Sequence, residues 1–309
     1  MIDSVASSIE SGVNAMTPDE LDRFVVTHTS EISKATPALF IYVPRRERHF
    51  GSGVLLQVED TRFLLTAAHV ADDCFDRYKR IFFGTPTFDD LLPLAWVRYC
   101  GSKIQSDPNR DDDPVDMAVL ELTRDVAEKL STFMRFLTLD DLQLDPDKLK
   151  DGVFLVEGYP DFRAETDEMD ETIVAQNMPY ITGLYDIEQF PAPNFRPPEH
   201  IALEVVPPYE SGGFSCGLDL DKCKGISGGG IWRMLDVGQP IQSLNWRQVK
   251  LVAIVTDRSD PDSIGPLQYL RGTKIKHAIR MIYHGWPHLR PRIVSAIPAR
   301  FVADDNNNK

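Results

Sequence analysis

Three short segments carry side chains able to do acid–base or nucleophilic chemistry. Leu64-Leu65-Thr66-Ala67-Ala68-His69 sets a histidine just after an apolar run, among small neighbours. An imidazole serving as general base needs room on one side for a nucleophile and on the other for a carboxylate that orients it, and small neighbours leave that room. Asp113-Pro114-Val115-Asp116-Met117-Ala118-Val119-Leu120 puts a carboxylate at the head of an apolar strand, tethered by regular structure and partly withdrawn from water. Such a group can hold a histidine in one tautomer. Lys224-Gly225-Ile226-Ser227-Gly228-Gly229-Gly230 surrounds a serine with glycines. Glycines admit a tight turn in which the backbone N–H groups of Gly225 and Ser227 converge on one spot, the arrangement that stabilises an oxyanion. Singly, each segment has an ordinary reading: a satisfied histidine, a turn aspartate closing the acidic run 111–113, a glycine-rich loop.

The elements that must position them are short and mostly extended. Runs at 39–43, 54–58, 63–66, 95–99 and 117–122 read as strands, with a hairpin turn at Glu59-Asp60. A second series follows at 153–156, 173–175, 180–184, 201–206, 231–234 and 249–256. The polar stretch 140–151 is the expected crossover between the two series. Helices are expected only at the ends. Thr17, Pro18 and Glu20 form a capping box ahead of the stripe Leu21, Phe24, Val25 and Ile32. Near the other end Thr273 reads as an N-cap for a helix with Ile275, Ile279 and Ile282 on one face, Gly285 at its C-terminus and Pro287 beyond. The pieces 165–171 and 190–198 read as surface loops, and 303–309 as a mobile tail. The fold class is therefore all-β in two packed lobes, divided as an N-terminal helical extension (1–36), a first lobe (37–148), a second lobe with a C-terminal helix (149–288) and a tail (289–309).

Composition narrows the partners. The 309 residues are 42% apolar and 26% charged, with 19 glycines and 22 prolines, which excludes collagen-like and wholly disordered chains. No apolar run approaches the roughly 18 residues a membrane-spanning helix needs. A net charge of −14 repels phosphate backbones and anionic lipid, so neither nucleic acid nor membrane is an expected partner. The first basic residue is Arg23, so the start lacks the basic opening of a secretory or transit peptide, and a cytoplasmic location is expected. Cys74, Cys100, Cys216 and Cys223 make no metal-binding spacing and read as reduced thiols, with a Cys216–Cys223 disulfide as the alternative. No cofactor and no metal are implied.

Together, in the order His, Asp, Ser, the segments TAAH, DMAVL and GISGG resemble the chymotrypsin- or trypsin-like serine peptidases. Gly51-Ser52-Gly53-Val54 is similar to the G-S-G start of bacterial members, and Glu157-Gly158-Tyr159-Pro160 to their second-lobe opening. The resemblance spans residues 37–284. It implies two six-stranded antiparallel β-barrels with the active site between them, and a serine endopeptidase working through an acyl-enzyme. Ser227 would be the nucleophile, His69 the general base and then acid, Asp116 the carboxylate orienting His69, and Gly225 and Ser227 the oxyanion donors. Residues 252–256 would pair with a peptide or protein substrate bound as an added strand, with the Thr256 hydroxyl supporting Asp116.

The side-chain pocket would be set by Asp221, six residues before the serine, and by Asp257 and Arg258, where the family usually has an aromatic residue and a glycine. Asp221 favours cleavage after Lys or Arg; Arg258 could neutralise it, leaving small or aliphatic residues as the rival preference. Ile226 stands in the place of the aspartate that pairs with a newly cut N-terminus in zymogen-activated members, so that switch is absent. A stand-alone peptidase is expected, its regulatory partner unknown. Two rivals remain: a catalytically silent relative that only binds, and a G-x-S-x-G esterase drawing on Asp257, Asp260, His277, His284 or His288.

Overall fold

The structure, a computed structural model, describes residues 29–43, 46–72, 75, 80–84, 91–102, 113–150, 152–161, 164–167, 172–185, 187, 195–205, 209–211, 214–216, 223–236, 246–258 and 268–302. The expected capping box at Thr17, Pro18 and Glu20 lies outside them. So do Leu21, Phe24, Val25, Cys74, Asp221 and the 303–309 tail. A helical turn at 29–33 precedes the sheets, with Ile32 buried.

The first lobe comprises β1 (Ala38–Val43), β2 (Arg46–Ser52), β3 (Val54–Val58), β4 (Thr61–Ala67), β5 (Arg80–Phe83), β6 (Leu92–Pro93), β7 (Trp96–Gly101) and β8 (Met117–Leu122). A short helix, α1 (Ala68–Asp72), follows β4, and α2 (Arg124–Leu130) follows β8. The strands form two four-stranded antiparallel sheets, in the orders β2-β1-β5-β6 and β3-β4-β8-β7. The division falls at Gly53, which separates β2 in one sheet from β3 in the other. A Cβ at Gly53 would lie 2.4 Å from Leu64 Cδ1 and 3.2 Å from Leu65 O, so a larger residue there would have to displace the Leu64 side chain. Glu59, at φ 54°, opens the two-residue turn that joins β3 to β4, as expected.

The second lobe comprises β9 (Gly152–Gly158), β10 (Ala164–Asp167), β11 (Thr172–Ala175), β12 (Met178–Thr182), β13 (His200–Val205), β14 (Tyr209–Ser211), β15 (Phe214–Cys216), β16 (Gly230–Asp236), β17 (Lys250–Arg258) and β18 (Gln268–Lys274). Six of them form one antiparallel sheet, β12-β9-β16-β17-β18-β13, which curls until Leu184, just past β12, bridges Leu203 of β13. β10 and β11 pair with each other, so 165–167, the start of the expected surface loop 165–171, is strand.

Each lobe has its own core, and a third apolar cluster joins them. Leu55, Leu64 and Leu120 sit in the first; Phe154, Leu203 and Val252 in the second. The joining cluster packs Leu56, Phe63 and Met117 of the first lobe with Leu155, Trp232 and Leu251 of the second. Two C-terminal helices, α3 (Lys276–Gly285) and α4 (Arg290–Ala296), complete it with Ile279, Ile282 and Ile293, together with Trp286 in the connection between them. The stripe of Ile275, Ile279 and Ile282 is buried as the sequence pattern expects. Thr273, however, does not cap α3. It is a residue of β18, and the helix starts after Ile275 without a side-chain cap. Backbone pairing to β17 takes the threonine into the sheet, and Ile275 N–H donates to Val252 O at 2.9 Å to set the turn.

The crossover stitches the lobes. Leu137 bridges Leu56 of β3, Leu142 bridges Leu251 of β17, and Thr138 and Asp141 form a capping box between them. Cys223 is a buried thiol and not half of a disulfide. Among the described residues no helix is long and apolar enough to cross a membrane, and no group of three or more His, Cys, Asp or Glu is arranged to hold a metal ion.

Candidate active site

Strand pairing brings His69 and Asp116 together. β4 and β8 run antiparallel, with Ala67 opposite Met117, so the residues just past the end of one and before the start of the other must meet. Three hydrogen bonds fix them: Ala68 N–H to Asp116 O at 3.0 Å, His69 N–H to Asp116 Oδ1 at 2.9 Å, and His69 Nδ1 to Asp116 Oδ2 at 2.7 Å. The carboxylate thus holds both the ring and the backbone of the histidine. With Nδ1 taken, the neutral ring carries its proton there and leaves Nε2 as an acceptor. The imidazole is 42% exposed and the aspartate 11%. Burial pulls the His69 pKa down, but the hydrogen bond and charge of Asp116, helped by Asp257 and Asp72, outweigh it and raise the pKa above the usual 6.5.

Asp116 reaches this geometry with φ at 41°. An L-residue in the left-handed region costs about 1–2 kcal/mol, less for aspartate than for most. Its neighbours hold it there. Met117 N–H donates to Ser102 Oγ at 3.1 Å, the Ser102 hydroxyl donates to Asp113 Oδ2, and Val115 N–H donates to Asp113 Oδ1 at 3.1 Å.

Ser227 belongs to the other lobe, in the turn before β16. Gly225 and Gly228 sit at φ 89° and 88°. A Cβ at Gly228 would lie 1.9 Å from Ser52 O and 2.3 Å from Thr66 Oγ1, so that position tolerates only glycine. Ser52, at the end of β2, anchors the turn. Its N–H donates to Ser227 O at 2.9 Å, its hydroxyl donates to Gly225 O at 2.9 Å and accepts from Tyr159 N–H at 2.9 Å, and its carbonyl accepts from Thr66 Oγ1 at 2.8 Å. On the far side Gly228 N–H donates to Val255 O and Val255 N–H to Gly229 O, both at 2.8 Å.

The serine turn and the His69 helix adjoin at Gly51, where a Cβ would lie 2.7 Å from Val70 Cγ1 and 3.7 Å from Ser227 O. Among the described residues, the N–H groups of Gly225 and Ser227 have no acceptor, and no hydrogen bond joins Ser227 Oγ to His69. Two donors are therefore left for an incoming oxygen.

The remaining expected residues divide. No hydrogen bond joins Thr256 to Asp116 among the described residues: its hydroxyl lies 3.5 Å from Arg271 O and 3.3 Å from Thr273 Oγ1. It is Thr273 that reaches the aspartate loop, donating to Val115 O at 2.5 Å. Asp257 stands half-exposed, paired with Arg271 at 2.9 Å. Of Arg258 only the backbone, at the end of β17, is described. Residues 253–255, within the 252–256 run expected to pair with substrate, are instead held on both edges, by β16 and the serine turn on one side and by β18 on the other; beyond them, 256–258 keep one unpaired edge among the described residues. Of the esterase candidates, His277 pairs with Glu199 at 2.6 Å. Ser52 and His200 were not singled out for these contacts by sequence; the G-S-G motif flagged the first, and nothing local flags the second.

No family model and no curated protein matches the sequence. Among solved structures the chain is similar to neuropsin, a serine protease expressed in the limbic system of mouse brain, at 17% identity and TM-score 0.48, covering 84% of this chain and 95% of that one. It is similar to the HtrA-type protease AlgW with tripeptide at 15% and 0.43, covering 84% of this chain and 62% of AlgW. A thermostable serine protease, AL20, from an extremophilic microorganism follows at 12% and 0.43, covering 79% and 92%.

Proposed function

We propose that the protein is a serine endopeptidase that hydrolyses peptide bonds through an acyl-enzyme on Ser227. The observation that carries this reading is the Asp116 carboxylate bonded to both His69 Nδ1 and His69 N–H, beside a turn that presents a serine and two unused N–H donors.

Ser227 Oγ attacks the scissile carbonyl carbon while His69 Nε2 takes its proton; Asp116 stabilises the imidazolium that forms. The carbonyl oxygen, now an oxyanion, accepts from Gly225 and Ser227 N–H, each such donor being worth about 100- to 1,000-fold in rate. The intermediate collapses as His69 returns the proton to the leaving amine. Water, deprotonated by His69, then attacks the acyl carbon, and collapse releases the acid and restores Ser227. The approach of Oγ to Nε2 accompanies substrate binding, since such bonds commonly tighten only in the complex. The substrate adds as a strand along the open edge at 256–258, its main chain giving affinity and a side-chain pocket giving selectivity. Cleavage follows basic residues, or in the rival preference small or aliphatic ones, in the cytoplasm.

A fluorophosphonate probe tests the reading: mass mapping is expected to find one adduct, on Ser227, absent from Ser227→Ala with an unchanged melt. A folded wild-type protein that ignores the probe would favour a silent binding module.

A further inference from the structure

Two buried side chains of the second lobe reach across to the backbone of the Asp116 loop in the first. His200, at the start of β13, bonds Pro114 O through Nε2, and Thr273 of β18 donates its hydroxyl to Val115 O at 2.5 Å. These are the two carbonyls that immediately precede Asp116, the residue at φ 41°. The loop is held from its own lobe through Ser102, and from the opposite lobe at successive peptide units.

His200 is itself fixed. Arg196 N–H donates to its Nδ1 at 3.0 Å, which leaves the ring proton on Nε2, where it donates to Pro114 O. Burial lowers the His200 pKa and keeps the ring neutral, the form that can accept and donate at once. The turn that supplies Arg196 is pinned in turn: Lys274 N–H donates to Glu199 O at 2.9 Å, and Glu199 pairs with His277 at 2.6 Å. Thr273 and His200 are opposite one another in the β13–β18 pairing, so one register delivers both groups to the loop.

We infer that His200 and Thr273 are positioning residues for catalysis, a clamp from the second lobe that holds the strained Asp116 loop so that its carboxylate meets His69. The inference rests on the peptidase reading for its kinetic consequence, but its geometric content stands apart from it. Neither residue touches substrate; both act through the peptide units ahead of Asp116. Thr256, 3.3 Å from the Thr273 hydroxyl, supports the clamp and not the carboxylate.

The test uses the full chain with Thr273→Val, His200→Ala and His200→Gln, the last keeping an N–H donor near the Nε2 position. A misplacement of 1 Å at a catalytic group costs about 100-fold, so loss of one of two clamps is expected to slow probe inactivation on the order of 10-fold at saturation, with the half-saturating probe concentration within about 2-fold of wild type. The downfield proton resonance of His69 Nδ1–H, which needs no turnover, is expected to broaden or shift in Thr273→Val and His200→Ala, and His200→Gln is expected to restore rate and resonance. Folded Thr273→Val and His200→Ala proteins that keep the wild-type resonance and inactivation rate would overturn the clamp. Wild-type protein that shows the resonance but no labelling would overturn the peptidase reading alone, the resonance of the variants still deciding the clamp.

Discussion

Replacing Asp116 by Asn removes one charge and little else. The Asn side-chain oxygen can still accept the His69 backbone N–H that now reaches Oδ1 at 2.9 Å, so the His69 helix keeps its anchor and the fold its melting temperature. What changes is the ring. A hydrogen bond to a charged partner is worth about 1.5–3 kcal/mol, and at 1.36 kcal/mol per decade its loss from the imidazolium alone slows the reaction by roughly 10- to 100-fold. The amide NH2 can also donate to Nδ1 and move the ring proton to Nε2, which then cannot accept the serine proton. In Ser-His-Asp triads this wrong tautomer brings the total to about 10,000-fold. The pH profile carries a second signature. His69 must be neutral to act, and Asp116 holds its pKa above 6.5, so wild-type labelling should fall as pH drops through a midpoint above that value. With Asn, the two largest raising causes vanish while burial remains, and the midpoint moves to lower pH. The assay is the rate of fluorophosphonate adduct formation on Ser227 between pH 5 and 9. An Asp116→Asn protein labelled at the wild-type rate with the wild-type midpoint would refute the reasoning.

Two further substitutions probe the frame that holds the site. Gly228→Ala forces a Cβ to within 1.9 Å of Ser52 O at φ 88°, and the left-handed backbone with overpacking should together cost about 2–5 kcal/mol; a denaturant midpoint equal to wild type would contradict this. Trp286→Ala empties a fully buried site where the indole meets Phe63 edge-on at 5.1 Å and donates to Glu121 at 2.5 Å; a loss of about 3–5 kcal/mol is expected by chemical denaturation, and a loss under about 1 kcal/mol would mean that the C-terminal helices are not part of the joining core.

The histidine, aspartate and glycine-rich serine turn were legible because their chemistry is local: small neighbours, a carboxylate heading an apolar strand, glycines at the positive-φ positions. The strands that carry them, β4, β8 and β16, were legible as apolar runs for the same reason. β2, with the sequence Arg-Glu-Arg-His-Phe-Gly-Ser, and β18, with Arg271 and Gly272 inside it, offer no apolar alternation; pairing with the adjacent β1 makes the first a strand, and pairing with β17 and the distant β13 makes the second one. The same non-local pairing turned Thr273 from an apparent cap into a sheet residue whose hydroxyl serves the Asp116 loop. Thr256 was assigned by resemblance to a contact with the carboxylate, and the register shift between Val255 and Asp257 accompanies a different outcome, its hydroxyl meeting Thr273. His200 carries no local mark because its partner, Pro114, is 86 residues away in sequence.

The account turns on peptide-bond hydrolysis by Ser227, and a peptide-library digest with mass-mapped products measures it most directly. Wild-type protein is expected to generate new termini at a restricted set of sites, with no cleavage by Ser227→Ala and cleavage reduced by orders of magnitude in His69→Ala. Intact peptides after incubation with folded wild-type protein, or equal cleavage by Ser227→Ala, would contradict it.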